Sequence, residues 1–243
     1  MASRVPVRKD GWRPTPLSDH PPKVIDVRGA TRTADTLDSV LEHLRAGGLL
    51  AYPTETVYGF GGLPTCSVIE GLAALKKRDP AKPMLLLVPD REAVSDLTWT
   101  PEAIELANVF WPGSVTLVLS DPGARYPEGV RGSAGSVAIR VSPHPLVREL
   151  VRGLGGPILS TSANRPGDTP ALDAQGALGA AVAAGAREEF WVLDGGALEP
   201  SRPSTIIDCS GPVPVVLRQG TVPLGRVRCV LPGIKAGGTD ERI

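Results

Sequence analysis

The sequence predicts a single α/β domain built on a mixed β-sheet with flanking helices. Three observations carry this. Short apolar runs of strand length alternate with segments of helical period. Several strand-like runs follow one another near the C-terminus, which favours a mixed sheet over a purely parallel one. Gly and Pro are abundant, at 28 and 25 of 243 residues, so turns are many and elements short.

The elements follow in order. Residues 1–23 hold Pro6, Pro14, Pro16, Pro21 and Pro22 with little apolar periodicity and read as an extended arm. Val24 to Val27 is a short strand. Leu37, Val40, Leu41 and Leu44 recur at helical spacing, and Gly47-Gly48 ends that helix. Leu49 to Tyr52 is a buried strand stopped by Pro53. Val68, Ile69, Leu72 and Leu75 mark a second helix with Lys76 to Arg78 at its C-terminal end. Met84 to Val88 is a strand, Asp90 caps a short helix, and Thr100-Pro101 opens another with Thr as N-cap and Pro in the first turn.

Trp111-Pro112-Gly113 turns into a strand over Ser114 to Leu119. Ser136 to Val141 is a strand, His144 to Arg152 a helix, Pro157 to Ser160 a strand and Leu172 to Ala184 an Ala-rich helix. Phe190 to Leu193, Ser204 to Asp208 and Val213 to Leu217 complete the strands. The domain therefore covers 24–232, and 233–243 read as a flexible C-terminal tail.

Composition excludes several function classes. Twenty-six basic and 26 acidic residues leave no net charge, so nucleic-acid contact requires a local patch. Cys66, Cys209 and Cys229 are odd in number and widely spaced, which supports neither a zinc site nor a disulfide framework and suits a reducing cytoplasm. The N-terminus has basic residues without an apolar core segment, unlike a secretory signal. The apolar runs are too short for a membrane span. No Walker loop, dinucleotide fingerprint or nucleophile elbow occurs. His20, His43 and His144 sit in surface or capping contexts, so a triad hydrolase is disfavoured.

What remains is a set of hydroxyls, amides and cations at strand ends. Thr54 and Thr56 flank Glu55 after a strand. Lys76, Arg78 and Lys82 cluster around Asp79-Pro80. Thr116 lies in a strand, Arg140 ends one, Ser160-Thr161-Ser162-Ala163-Asn164 follows another, Ser204-Thr205 starts one and Arg218 ends the last. Lys and Arg neutralise phosphate oxygens, and Ser and Thr hydroxyls hold phosphate or small polar ligands. Ligands of α/β sheets favour the crevice beyond the strand ends. Taken singly, each feature has an ordinary structural use: a turn threonine, cations complementing a helix dipole, a polar turn before a helix. The chemistry alone points to a nucleotide or phosphate site.

Seven segments in order narrow this. Pro53-Thr54-Glu55-Thr56-Val57-Tyr58-Gly59, Lys76-x-Arg78 with Lys82-Pro83, Trp111-Pro112-Gly113-x-x-Thr116, Val137 to Val141, Ser160 to Asn164, Pro203 to Asp208 and Leu217-Arg218-x-Gly220 resemble the YrdC-like family of threonylcarbamoyl-AMP synthases. The likeness runs from about Thr33 to Gly220. It implies a catalytic domain with a twisted mixed sheet and a large, positively lined cavity. It implies an L-threonylcarbamoyladenylate synthase, a nucleotidyltransferase joining L-threonine, bicarbonate and ATP into threonylcarbamoyl-AMP and pyrophosphate. Mg²⁺ would accompany the ATP without a dedicated protein site. The product would pass to a tRNA threonylcarbamoyl-transferase complex that modifies adenosine 37 of tRNA, and tRNA contact is one implied partner. By resemblance, Thr54, Arg140, Ser160 and Ser204 hold threonine. Lys76 and Arg78 are catalytic and face the phosphates, and Lys82, Thr116, Ser162, Asn164, Thr169 and Arg218 join them at ATP.

This chain departs from the family pattern at three places. Leu87 stands where some members carry His, Phe60 replaces Leu, and Pro166 stands where Ser often precedes Gly167, with Thr169 as the substitute hydroxyl. The length after Gly220 matches the short, single-domain form. Glu55 has no sequence neighbour that would tune it as a base, so catalysis reads as positioning and charge stabilisation. Two alternatives remain: a carbamoyl-adenylate-forming module, whose usual zinc-finger or acylphosphatase-like companions are lacking here, and a non-catalytic RNA-binding protein, for which aromatic content of 4% is low.

Overall fold

The computed structural model describes residues 20–29, 33–78 and 82–237. The Pro-rich arm up to residue 19, and the end of the expected tail from 238, lie outside the described residues. One mixed sheet of eleven strands organises the chain. Its strands are β1 (Lys23–Asp26), β2 (Leu49–Pro53), β3 (Tyr58–Gly61), β4 (Leu85–Leu87), β5 (Val115–Ser120), β6 (Ser136–Arg140), β7 (Ile158–Ser162), β8 (Phe190–Asp194), β9 (Thr205–Asp208), β10 (Val215–Arg218) and β11 (Lys235–Ala236). Their spatial order is β1-β8-β2-β3-β7-β4-β6-β5-β9-β10-β11. Five neighbour pairs are parallel and five antiparallel, as a sequence mixing crossover helices with successive strands requires.

Six helices are present among the described residues: α1 (Ala34–Arg45), α2 (Cys66–Lys76), α3 (Pro101–Phe110), α4 (Pro145–Leu154), α5 (Ala174–Ala183) and α6 (Leu224–Val230). Local chemistry starts them. The side chains of Thr33, Thr65, Thr100 and Asp173 each accept a backbone N–H of the first turn of α1, α2, α3 and α5, satisfying donors that have no partner inside the helix. Asp90 accepts the Ala93 N–H at the start of a single 3₁₀ turn, Glu92–Val94. No helix is long and apolar enough to cross a membrane among the described residues.

The helices cover the sheet unevenly, and strand alternation shows how. Ala51, Phe60, Leu86, Leu117, Leu119, Ile139, Leu159, Val192 and Ile207 point to one face, where they pack with apolar residues of α2, α3, α5 and α6. Leu50, Tyr52, Leu87, Ile158 and Leu193 point to the other face and meet only α1 and α4. The rest of that second face carries a small cluster, Val118, Ala138 and Ile206, with no helix in the cluster. The polar residues of the sheet gather there.

Two elements differ from the sequence reading. Tyr58–Gly61, given no element in the sequence reading, is a full strand between β2 and β7. Its glycines permit close approach: a Cβ on Gly61 would lie 2.1 Å from the Leu159 carbonyl oxygen and 2.8 Å from the Tyr52 ring. At the C-terminus, α6 follows β10, Ile234 is buried and Lys235–Ala236 pairs with β10. The ordered edge of the domain thus extends into the segment read as tail. Leu87, where the family pattern varies, is fully buried between α1, α4 and the sheet.

The crowding at Gly61 is testable. Gly61→Ala forces backbone apart and should lower stability by about 1–3 kcal/mol in urea unfolding. Gly156→Ala, where an added Cβ meets nothing within 4 Å, should stay within about 0.5 kcal/mol of the parent.

Candidate active site

A cavity of about 280 Å³ opens on the part of the sheet that no helix covers. Alternation brings its walls together. Thr116 of β5, Ala138 and Arg140 of β6, Ser160 and Ser162 of β7, and Ile206 of β9 line it, each two residues apart along its strand where a strand gives two. The turn after β2 adds Thr54 and Thr56, the loop before β9 adds Ser204, and β10 ends in it with Arg218. Arg78, Asn164 and Asp168 complete the polar wall. Three guanidiniums against one lining carboxylate give the cavity wall a positive lining.

Most of these polar groups are held by partners in the wall. The Thr54 hydroxyl donates to the Val57 carbonyl at 2.7 Å and accepts the Thr56 and Val57 N–H groups at 3.2 and 3.3 Å. It closes the turn and meets the Thr56 hydroxyl at 3.1 Å. Thr116 and Ser204 hydroxyls touch at 2.9 Å, tying β5 to the loop before β9. Arg218 donates from Nε and Nη2 to the Ser204 carbonyl at 3.2 and 3.0 Å. Gly220 abuts the same loop, since a Cβ there would lie 2.0 Å from the Pro203 oxygen. Burial lowers the pKa of Arg218, with Arg140 the next cause. The two guanidiniums therefore share one desolvated neighbourhood.

Arg140 is 4% exposed and sits with Nε 3.2 Å from Oε1 of Glu55. The pair is ionic, without an aligned hydrogen bond between those two atoms. Ser142 donates to the other carboxylate oxygen of Glu55 at 2.5 Å. Spacing along the chain leaves Glu55 alone, yet the fold gives it two partners on or just after β6. Only the pairing of distant strands reveals them.

Lys76 stands outside the lining that Arg78 joins. It rises from α2, on the helix-covered face, and is not among the residues lining the cavity. Its ammonium donates to the carbonyls of Ser162 and Asn164 at 2.6 and 2.7 Å and to Asn164 Oδ1 at 2.8 Å. It also lies 5.9 Å from the centre of the Phe60 ring. All three donors are taken, so Lys76 clamps the segment 162–164 from behind. Ser162 Oγ donates to the same Asn164 oxygen at 2.6 Å, and Asn164 Nδ2 donates to the Arg165 and Asp168 carbonyls. Arg78, two residues on, does reach the cavity. It is tied by Nε and Nη2 to the Lys82 and Pro83 carbonyls at 3.3 and 2.8 Å, and burial lowers its pKa. Lys77 between them is left-handed, with φ 45°, and closes α2.

The remaining assigned residues lie elsewhere. Lys82 contributes a carbonyl to Arg78 and is not in the cavity wall. Thr169 faces a separate depression beside α5. Thr56 and Asp168 line the cavity without having been singled out as ligand groups. For Thr56 the signal was its position two residues beyond Thr54. Among the described residues no cluster of three His, Cys, Asp or Glu side chains could hold a metal.

A model of the Sua5/YciO/YrdC domain, described as "Telomere recombination", matches residues 42–220. The chain belongs to this family. A Sua5/YciO/YrdC relative from Chromohalobacter salexigens, named threonylcarbamoyl-AMP synthase, is 42% identical over 179 residues, covering 72% of this chain and 94% of the relative. The structure of P. abyssi Sua5 complexed with L-threonine superimposes with a TM-score of 0.80 at 29% identity, over 88% of this chain. This chain spans 62% of the length of that Sua5. E. coli YciO shares the fold, with a TM-score of 0.72 at 22% identity over 86% of this chain and 99% of its own.

The clamp generates a prediction. Burial, and then the Arg78 charge, pull the Lys76 pKa from 10.5 to about 8. Between those values the unfolded chain binds the extra proton, so wild-type stability should rise with pH across that window. Lys76→Met should lose that rise. Denaturant unfolding of both proteins from pH 7 to 10.5 checks each expectation.

Proposed function

We propose that the protein is an L-threonylcarbamoyladenylate synthase, a nucleotidyltransferase using L-threonine, bicarbonate and ATP. The observation that carries this reading is the single cavity in which Thr54, Thr116, Arg140, Ser160, Ser162, Asn164, Ser204 and Arg218, with Arg78, converge from segments far apart in the chain. That lining suits a small amino acid and a polyanionic nucleotide in adjacent places. The name and 94% coverage of the C. salexigens relative support the same activity.

In this reading the threonine amine and bicarbonate condense with loss of water to N-carboxythreonine. A carbamate oxygen then attacks the α-phosphorus of ATP, and the bond to the bridging oxygen breaks to release pyrophosphate. Arg78, in the cavity wall, meets the triphosphate. Arg218, Thr116, Ser162 and Asn164 hold the adenylate, and Thr54, Arg140, Ser160 and Ser204 hold threonine. Lys76 keeps the 162–164 wall in place. Magnesium enters with ATP as part of the substrate, since the one lining carboxylate, Asp168, is a poor ligand set for a resident ion. No side chain in the wall is set up as a dedicated base, so rate comes from orientation and from cations already desolvated before charge develops. The product would feed a tRNA threonylcarbamoyl-transferase complex in the cytoplasm.

Purified protein incubated with ATP, magnesium, labelled bicarbonate and single amino acids should release pyrophosphate and form a labelled adenylate only with L-threonine. Threonine-independent turnover with carbamoyl phosphate would overturn the reading, as would salt-sensitive RNA binding with no turnover. Arg78→Ala should lower adenylate formation about 10²–10³-fold, the cost of losing one charge-stabilising donor, beyond any stability loss from the freed Lys82 and Pro83 carbonyls.

A further inference from the structure

Glu55 is a buried carboxylate that the proposed chemistry leaves without a task. Its side chain is 12% exposed and it is not in the cavity wall. One of its oxygens faces Arg140 Nε and the other accepts a hydrogen bond from the Ser142 hydroxyl.

Arg140 has the complementary arrangement. Its Nε is buried against Glu55. Neither of its terminal nitrogens donates a hydrogen bond to any described residue, although Arg140 lines the cavity. A guanidinium is a planar fork with five N–H donors, so engaging the Nε side leaves the terminal edge to be aimed. Strand geometry adds the rest. Arg140 is the last residue of β6, Ser142 follows two residues later, and Glu55 lies in the turn after β2. These segments are not neighbours in the sheet, so the carboxylate spans from one cavity wall to another.

We propose that Glu55 is a positioning residue. Held by Ser142, it fixes the Nε side of Arg140 and presents the two terminal nitrogens as a bidentate clamp for the carboxylate of the amino-acid substrate. The assignment of that carboxylate rests on the synthase reading. The same contact tempers the mutual repulsion of Arg140 and Arg218 in their shared desolvated neighbourhood, and so keeps both cations in place until an anion enters.

The test separates aim from mere stability. In Glu55→Gln the KM for L-threonine should rise at least tenfold, with kcat and the KM for ATP within about twofold of wild type, as the loss of ground-state binding requires. Ser142→Ala keeps both charges and removes only the strut, so it should raise the same KM by a smaller factor without the folding cost of an unpaired buried cation. In an Arg140→Gln background, Glu55→Gln should change the threonine KM by less than twofold, because nothing is left to aim. A threonine KM unchanged in both single variants, or losses that simply add in the double variant, would overturn the proposal. Calorimetric titration with L-threonine alone makes the same comparison. A wild-type chain that binds threonine but releases no pyrophosphate would overturn the synthase reading while the Glu55 comparison still stands. A chain that binds no threonine would overturn both.

Discussion

A strand residue has two directions available to it, and this sheet uses them unequally. One face is committed to four helices along its length. The other is committed to α1 and α4 over only part of its width. The polar face left over is therefore not an insertion into the fold. It is the place where the sheet has no helix to pack against, and hydroxyls and guanidiniums occupy the inward positions there in place of Leu and Val. The strand ladders on either side set the spacing of those groups. The β4–β6 and β5–β9 pairs are parallel, while β7 and β5 run antiparallel to their inner neighbours.

Electrostatics then distinguishes the cations. Arg78 and Arg218 are each depressed by burial while lining the cavity, so water has already been partly stripped from them before a ligand arrives. Their hydrogen bonds run to backbone carbonyls at the Lys82-Pro83 and Ser204 turns. Each turn is thus oriented by the same side chain that faces the ligand, and the wall and its charge move together. Such an arrangement costs little reorganisation when negative charge develops.

The sequence made most elements legible because their signals are local. Capping threonines, helical spacing at Val40, Leu41 and Leu44, and the apolar run before Pro53 each act within a few residues. What escaped was non-local. The strand Tyr58–Gly61 gives no strand signal because Gly59 and Gly61 have poor strand propensity. They are used for a close approach to Leu159 and Ser160 across the sheet, which no local signal reports. Lys82 and Thr169 share residue type and neighbourhood with true cavity residues but are not in the cavity wall, and Thr169 faces another depression. Glu55 lay in plain view beside Thr54, and its partners are 85 and 87 residues away.

The left-handed residue that ends α2 has a consequence for how the basic motif should be understood. Because Lys77 turns the backbone at φ 45°, the side chains before and after it leave on opposite sides of the sheet end. One cation becomes internal framing and the other becomes ligand surface. Total charge is then a poor description of the motif. Exchanging the identities at 76 and 78 would conserve composition, charge and local propensity, and yet put a broad planar fork where a compact ammonium seats among three oxygens. The information lies in handedness and order, a kind of content that a charge profile cannot hold.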